Sequence, residues 1–175
     1  NFGAYLKFAG FDGIIVEGEA KKPTYVHIDQ DGVHILDADG LWGLDTQETQ
    51  AKLRQRHGKT TQVACIGPAG ERLARLANIV VDGTRSVGRG GLGAVMGAKN
   101  LKAVVVDGSA KIDIADQGRH HEACYDILRT LRDSPAVQEL AEFGTAAFVD
   151  AADRLRMTPA ENFRRVRFPL SCLYS

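Results

Sequence analysis

The sequence predicts an α+β protein, with a β-sheet-rich domain over residues 1–110 followed by the first helices of an α-helical domain over 111–175. Three observations carry this. Short β-branched runs bounded by glycine, proline and aspartate crowd the first part of the chain. Asp31-Gly32 sits between two of those runs, which makes an antiparallel hairpin and argues against strict strand–helix alternation. From Ile112 to Met157 the apolar residues recur at helical spacing instead: Ile127, Leu128 and Leu131, then Val137 and Leu140, then Phe148, Val149, Ala152 and Leu155. The boundary falls near Gly108–Asp116.

The elements follow in order. Asp12–Gly18, with Ile14-Ile15-Val16 at its centre, reads as a short buried strand. Thr24–Ile28 and Val33–Leu36 are the arms of the hairpin. Trp42 lies in the loop that follows and reads as a packing residue. Thr46–His57 is a helix: Asp45 or Thr46 can cap it, Glu48 puts negative charge in its first turn, and Gly58 stops it. Thr61–Ile66 is a strand, Pro68 opens a short helix, and Asn78–Val81 is a further strand. Gly91–Lys99 is helical despite its glycines, and Leu101–Val106 is the next strand. Near the end, Ser134-Pro135 starts a helix that Gly144-Thr145 separates from another.

Composition narrows the function. The chain has 175 residues, 44 % of them apolar and 25 % charged, as in an ordinary soluble domain. Lysine plus arginine equal aspartate plus glutamate at 22 each, so no long-range field draws nucleic acid or a membrane surface. No apolar run approaches the ~20 residues of a spanning helix. No leader peptide is visible, so the expected location is cytoplasmic; the chain starts at Asn1 rather than Met, so a missing upstream segment is also expected. Cys65, Cys124 and Cys172 form no C-x-x-C pair, so the spacing supports neither zinc nor an iron–sulfur cluster. Cys65 reads as a small buried hydrophobe. Arg164, Arg165 and Arg167 read as a solvated basic cluster.

The most informative segment is Arg85–Asn100, with five glycines, two arginines and a lysine. Glycine lets backbone N–H groups approach a ligand closely, and arginine grips phosphate oxygens with a planar fork. The type of segment that results is a loop for an anion. Gly88, Gly90 and Gly93 satisfy G-x-G-x-x-G, with Ala77–Val81 as a preceding strand and Asp107 at a tolerable distance. Lys99-Asn100 excludes a P-loop. The pattern leaves two readings open: a phosphate-binding loop, or a glycine-rich turn that packs a helix against a sheet.

Taken together, several motifs resemble one family. They are Leu6–Gly18 leading into Lys22-Pro23, then Ile66–Glu71, Asp82-Gly83 with Arg85, and Gly88–Ala103. The combination resembles the tungsten-dependent aldehyde:ferredoxin oxidoreductases over about Asn1 to Phe163. Phe143–Ala146 and Asn162-Phe163 are similar to the start of that family's helical second domain. The resemblance implies oxidation of aldehydes to carboxylic acids. It implies a tungsten or molybdenum bis-pterin, with a magnesium ion bridging its phosphates, and electrons passed through a 4Fe-4S cluster to ferredoxin. It implies a first domain of two β-sheets on which the pterins lie, and allows a homodimer of the parent enzyme. By the same resemblance Arg85 pairs with phosphate, the Ser86 carbonyl faces the magnesium, and Arg89, Gly90 and Gly91 shape the same wall.

The resemblance has gaps. The family's asparagine-containing glycine turn before Asn1 is absent, and so is its C-x-x-C-x-x-x-C cluster motif after Phe163; Cys172 alone cannot ligate a cluster. From about Val166 the chain ceases to look like the family. The expectation is therefore a fragment without catalytic residues of its own, inactive alone. A non-catalytic remnant or interaction domain is the alternative, and a dinucleotide-binding domain using Gly88–Gly93 is a weaker one. His120-His121 point about 100° apart on a helix and read as surface residues. His27 and His34 lie on paired strands and read as exposed histidines across a hairpin. Asp12 and Glu17 read as a turn and a strand-end charge.

Overall fold

The computed structural model describes residues 1–166, so Arg167 and Cys172 lie outside the described residues. The chain divides into two units, Asn1–Asp113 and Ile114–Ser175.

The first unit contains α1 (Phe2–Phe8), β1 (Thr24–Asp29), β2 (Gly32–Asp37), α2 (Thr46–His57) and β3 (Gln62–Cys65). It continues with α3 (Pro68–Glu71), β4 (Ile79–Val81), β5 (Arg85–Val87), α4 (Leu92–Ala98) and β6 (Leu101–Val106). The strands form one six-stranded sheet in the order β2-β1-β6-β3-β4-β5. Only β1 and β6 pair in parallel; β1–β2, β3–β6, β3–β4 and β4–β5 are antiparallel. This is the expected α+β arrangement. It overturns the dinucleotide-binding alternative, because a doubly wound nucleotide fold needs parallel strands joined by crossover helices. The family resemblance implied two sheets; the described residues carry one.

The sheet is packed on both faces. Leu6 and Ala9 of the α1 segment and Met96 of α4 cover Val26, Ile28, Ile66, Leu101, Val104 and Val106. On the other face Leu53 of α2, with Ala38 and Leu41, covers Tyr25, Val63, Cys65, Ala103 and Val105. The central strand β6 is buried at every position, which is why it reads as an almost unbroken apolar run. Its one charged member, Lys102, lies at a register irregularity: Thr24 pairs with Leu101 but Tyr25 with Ala103. That bulge leaves Lys102 as the extra residue and re-aims its side chain.

Two expectations about local structure need correction. Asp12–Gly18 forms no strand, and Ile15 at its centre is 89 % exposed. β-propensity needs a ladder partner. This segment has none and is tied at its end to the α4–β6 turn, where Ala20 N donates to Lys99 O at 3.1 Å and Lys99 Nζ to Gly18 O at 2.9 Å. The helix α1, in contrast, was not anticipated. It has no side-chain cap, and a single buried residue, Leu6, within its seven, so its sequence carries little periodic signal. Helix α2 forms where expected, with a full capping box: Asp45 accepts from Gln47 N and Glu48 N at 2.8 Å each, and Glu48 accepts from Asp45 N at 3.1 Å.

The second unit is helical: α5 (Gln117–Arg132), α6 (Pro135–Phe143), a 3₁₀ turn over Gly144–Phe148 and α7 (Val149–Arg154). Asp116 caps α5 by accepting from Arg119 N at 2.9 Å. No residue of α5 or α6 is buried. Among the described residues no helix is long and apolar enough to cross a membrane.

Candidate functional site

The segment Arg85–Asn100 splits into an open half and a sealed half. The open half begins at the β4–β5 hairpin. Asp82 and Gly83 both take positive φ, at 50° and 76°, and Thr84 N donates to Val81 O at 3.3 Å. Asp82 fastens this turn to the sheet: its N–H donates to Val63 O at 2.9 Å, and its Oδ1 accepts from Val63 N at 3.0 Å. The Arg54 guanidinium lies 3.7 Å from the same carboxylate oxygen. From this anchor, Arg85, Ser86, Val87, Gly88, Arg89 and Gly90 are all exposed. β5 is an edge strand, so the sheet uses only one side of its backbone. Neither the Arg85 nor the Arg89 guanidinium has a hydrogen-bond or ion-pair partner among the described residues. A Cβ built on Gly90 would meet nothing within 4 Å.

The sealed half starts one residue later. Gly91 is buried with φ +68°, and a Cβ there would overlap the carbonyl of Arg75. On Gly93 it would lie 2.6 Å from Asn78 O, and on Gly97 it would overlap the carbonyl of Gly70. Gly97 lets α4 touch α3 backbone to backbone, and Gly91 and Gly93 let its first turn lie against the backbone of residues 75–78. The packing reading of the glycine pattern therefore holds for the sealed half, while the open half keeps backbone and two guanidiniums exposed. Lys99, grouped with the arginines from sequence, is occupied by the Gly18 carbonyl.

Sequence reasoning missed the ion pair that supports the sealed half. The Lys102 ammonium has no exposed surface, donates to Leu44 O at 2.9 Å and pairs with Glu71, whose side chain is 5 % exposed. Both Glu71 oxygens accept from Gly43 N, at 3.0 and 2.9 Å. The pair pins the 43–44 loop and the end of α3 to β6. Strand periodicity alone could not signal it, because the bulge at Lys102 breaks the alternation.

A second polar cluster lies on the α2 face of the sheet. His27 and His34 are cross-strand partners, as their register predicted, with ring centroids 6.1 Å apart. The expectation of two exposed histidines fails for His27, whose side chain is 13 % exposed. His57, the last residue of α2, stacks on it at 4.0 Å and meets the Tyr25 hydroxyl through Nε2 at 3.0 Å. Burial, then the neighbouring His27, pushes the His57 imidazole below its ordinary pKa of 6.5. Asp29 lies 3.5 Å from His27 Nδ1 and 3.4 Å from His34 Nε2. Burial would raise its carboxyl, but the N–H of Asp31, the two imidazoles and the N–H of Gly32 hold it below the usual carboxylate range.

Cys65 is fully buried, and that burial pushes its thiol up to about 11, as expected of an inert hydrophobe. Trp42 is half-buried in its loop. His120 and His121 are exposed, with Cys124 3.7 Å from His120 Nε2. Among the described residues no three His, Cys, Asp or Glu side chains converge as a metal site.

The family model of the aldehyde ferredoxin oxidoreductase N-terminal domain matches residues 1–108, the whole sheet and the entire glycine-rich segment. The chain belongs to this family. A tungsten-containing aldehyde ferredoxin oxidoreductase of Pyrococcus furiosus is 44 % identical over 170 residues, covering 96 % of this chain and 28 % of that protein. The aliphatic sulfonate oxidoreductase, WOR-like subunit, of the same organism is 39 % identical over 123 residues, covering 63 % of this chain and 20 % of its own length. Among solved structures, the active site complex BamBC of benzoyl coenzyme A reductase, with 1,5 dienoyl-CoA, superposes with a TM-score of 0.72 at 38 % identity, over 75 % of this chain and 20 % of that one. The chain thus spans less than a third of the length of these oxidoreductases, and the matched part is the one that carries the open arginine–glycine turn.

Proposed function

We propose that this chain supplies one wall of a metal–pterin site in an aldehyde ferredoxin oxidoreductase, holding the diphosphate end of the cofactor rather than its reacting end. The observation that carries this reading is the pair of unpartnered guanidiniums, Arg85 and Arg89, beside a glycine backbone open to a ligand. Arginines without a protein partner on an anchored hairpin suit an incoming phosphate, which accepts charge-assisted bonds in the fork geometry. The net charge of zero makes the recognition local rather than a long-range field.

In this reading Arg85 and Arg89 bind phosphate oxygens, and the exposed backbone of Gly88 and Gly90 allows close approach. The Ser86 carbonyl would offer an oxygen ligand to a magnesium ion bound with the phosphates, a hard cation that takes oxygen ligands. Gly91 acts by turning the chain into α4, since its own backbone is covered by Arg75. The tungsten or molybdenum pterin, when bound, supplies the two-electron redox chemistry that converts an aldehyde to a carboxylic acid. In this reading the 4Fe-4S ligands that would pass electrons to ferredoxin come from outside the described residues, the parent enzyme can be a homodimer, and the chain alone is inactive. Arg85 and Arg89 belong to the unit Asn1–Asp113, which carries the sheet. The diversity of the relatives supports the assignment: proteins named for an aldehyde, a sulfonate and coenzyme A are all similar to this chain, as suits a part that serves a common group rather than one substrate.

The test is co-expression with the portion of a relative that this chain does not span, followed by metal and pterin analysis of the purified complex. Tungsten or molybdenum retained by the complex, and lost with Arg85→Ala, is the expected result. A complex that assembles but holds no metal–pterin overturns the reading.

A further inference from the structure

The Gly88–Gly91 turn is held at both ends, and one side chain outside the glycine motif holds the first of them. Asn78 stands at the entry to β4. With its amide oriented to suit its neighbours, its nitrogen donates to Leu76 O at 3.1 Å and to Gly88 O at 3.2 Å. Its other amide atom faces Ser86, with a contact of 3.5 Å to Oγ. The backbone on either side of Asn78 holds the far end of the turn: Gly93 N donates to Ala77 O at 3.0 Å, and Gly91 lies against the carbonyl of Arg75. Residues 75–78 therefore grip the turn at Ser86, Gly88, Gly91 and Gly93. Only Arg89-Gly90 is left free, and it is the part facing open space.

We propose that Asn78 is the positioning residue of the anion turn: its amide pins the Gly88 carbonyl, so that Arg89 and Gly90 are preformed for a diphosphate group. Both N–H bonds of the amide are spent on protein carbonyls, so Asn78 acts through the turn rather than by touching the ligand. Its effect is to remove the ordering cost that a loose glycine turn would pay on binding. An aspartate cannot replace it, because a carboxylate donates to neither carbonyl and adds negative charge beside the anion. The inference rests on the phosphate-wall reading for its ligand, but not for its effect on the turn.

Two measurements on the full chain separate those parts. In the first, amide hydrogen exchange is compared between the parent chain and Asn78→Ala. Exchange should rise at least fivefold at Gly88–Gly91 and stay unchanged in β3 and β6; equal protection at the turn overturns the inference. In the second, inorganic pyrophosphate with magnesium is titrated by calorimetry. Asn78→Ala should weaken binding about tenfold, Asn78→Asp more, with melting temperature unmoved. Binding as tight in Asn78→Ala as in the parent overturns the positioning role. A parent chain that binds no pyrophosphate counts against the phosphate wall, and the exchange result then decides on Asn78 alone.

Discussion

The outer and inner halves of Arg85–Asn100 use the same residue for opposite purposes. Between Arg85 and Gly90 both glycines are exposed, and at Gly90 an added Cβ would meet nothing within 4 Å. Between Gly91 and Gly97 glycine removes space so that α4 can lie against α3 and the segment that follows it. The charged residues divide in the same way. Arg85 and Arg89 are exposed and unpartnered, whereas Lys102, just past the inner half, is fully buried and paired with Glu71. A glycine-rich stretch thus leaves its backbone accessible only where its neighbours stay away. Sequence composition does not distinguish the two cases.

The buried pair is the most sensitive point of the inner half. Lys102→Ala leaves the Glu71 carboxylate uncompensated in the interior and should cost about 3–5 kcal/mol, read as a shift in the urea midpoint. A loss under 1 kcal/mol would mean that the inner half does not depend on this anchor. Next comes glycine against glycine. Gly97→Ala forces a Cβ into the Gly70 carbonyl and should cost about 2–3 kcal/mol. Gly90→Ala meets no atom but must hold a positive φ, and should cost about 1 kcal/mol. If Gly90→Ala proves the more damaging, the division into open and sealed halves is wrong.

The outer half is sharpened by Arg85→Ala and Arg89→Ala. Each removes an unpaired surface charge, so stability should stay within about 0.5 kcal/mol while pyrophosphate affinity falls several-fold. A large stability loss at either position would reveal a structural role for that arginine. The smallest effect concerns the histidine face. His57 is held below its ordinary pKa of 6.5 by burial, so the unfolded chain binds its proton more readily. Stability contributed by the neutral imidazole is full above 6.5 and declines as pH falls through the lowered folded value. The melting temperature should therefore drop modestly between pH 7.5 and 5.5, and His57→Gln should flatten that drop. Asp29 stays ionised over this window because its carboxyl sits below the usual range. An unchanged slope in His57→Gln would assign the acid sensitivity to other groups.

Legibility followed the physics of each element. The hairpin, α2 and β6 were readable because each announces itself locally, through Asp31-Gly32, through the Asp45/Glu48 box, and through an apolar run. Ile14-Ile15-Val16 misled because its composition suits a strand while no partner strand lies beside it. Helix α1 went unseen because one buried leucine makes no pattern. At the candidate site Arg85 and Arg89 were legible from residue type. Asn78 was not, since its value depends on a carbonyl ten residues away that only the fold brings near.

The order of residues by itself determined the sheet-then-helix architecture, the family, and the presence of an arginine–glycine segment suited to an anion. These depend on local periodicity, turn chemistry and motif spacing, all of which are properties of neighbours in the chain. The tertiary structure decided which glycines stay open and which face another backbone, where Lys102 finds its carboxylate, and that His57 lies on His27. Those outcomes depend on what packs against each residue from distant parts of the chain, and burial and pairing are settled there.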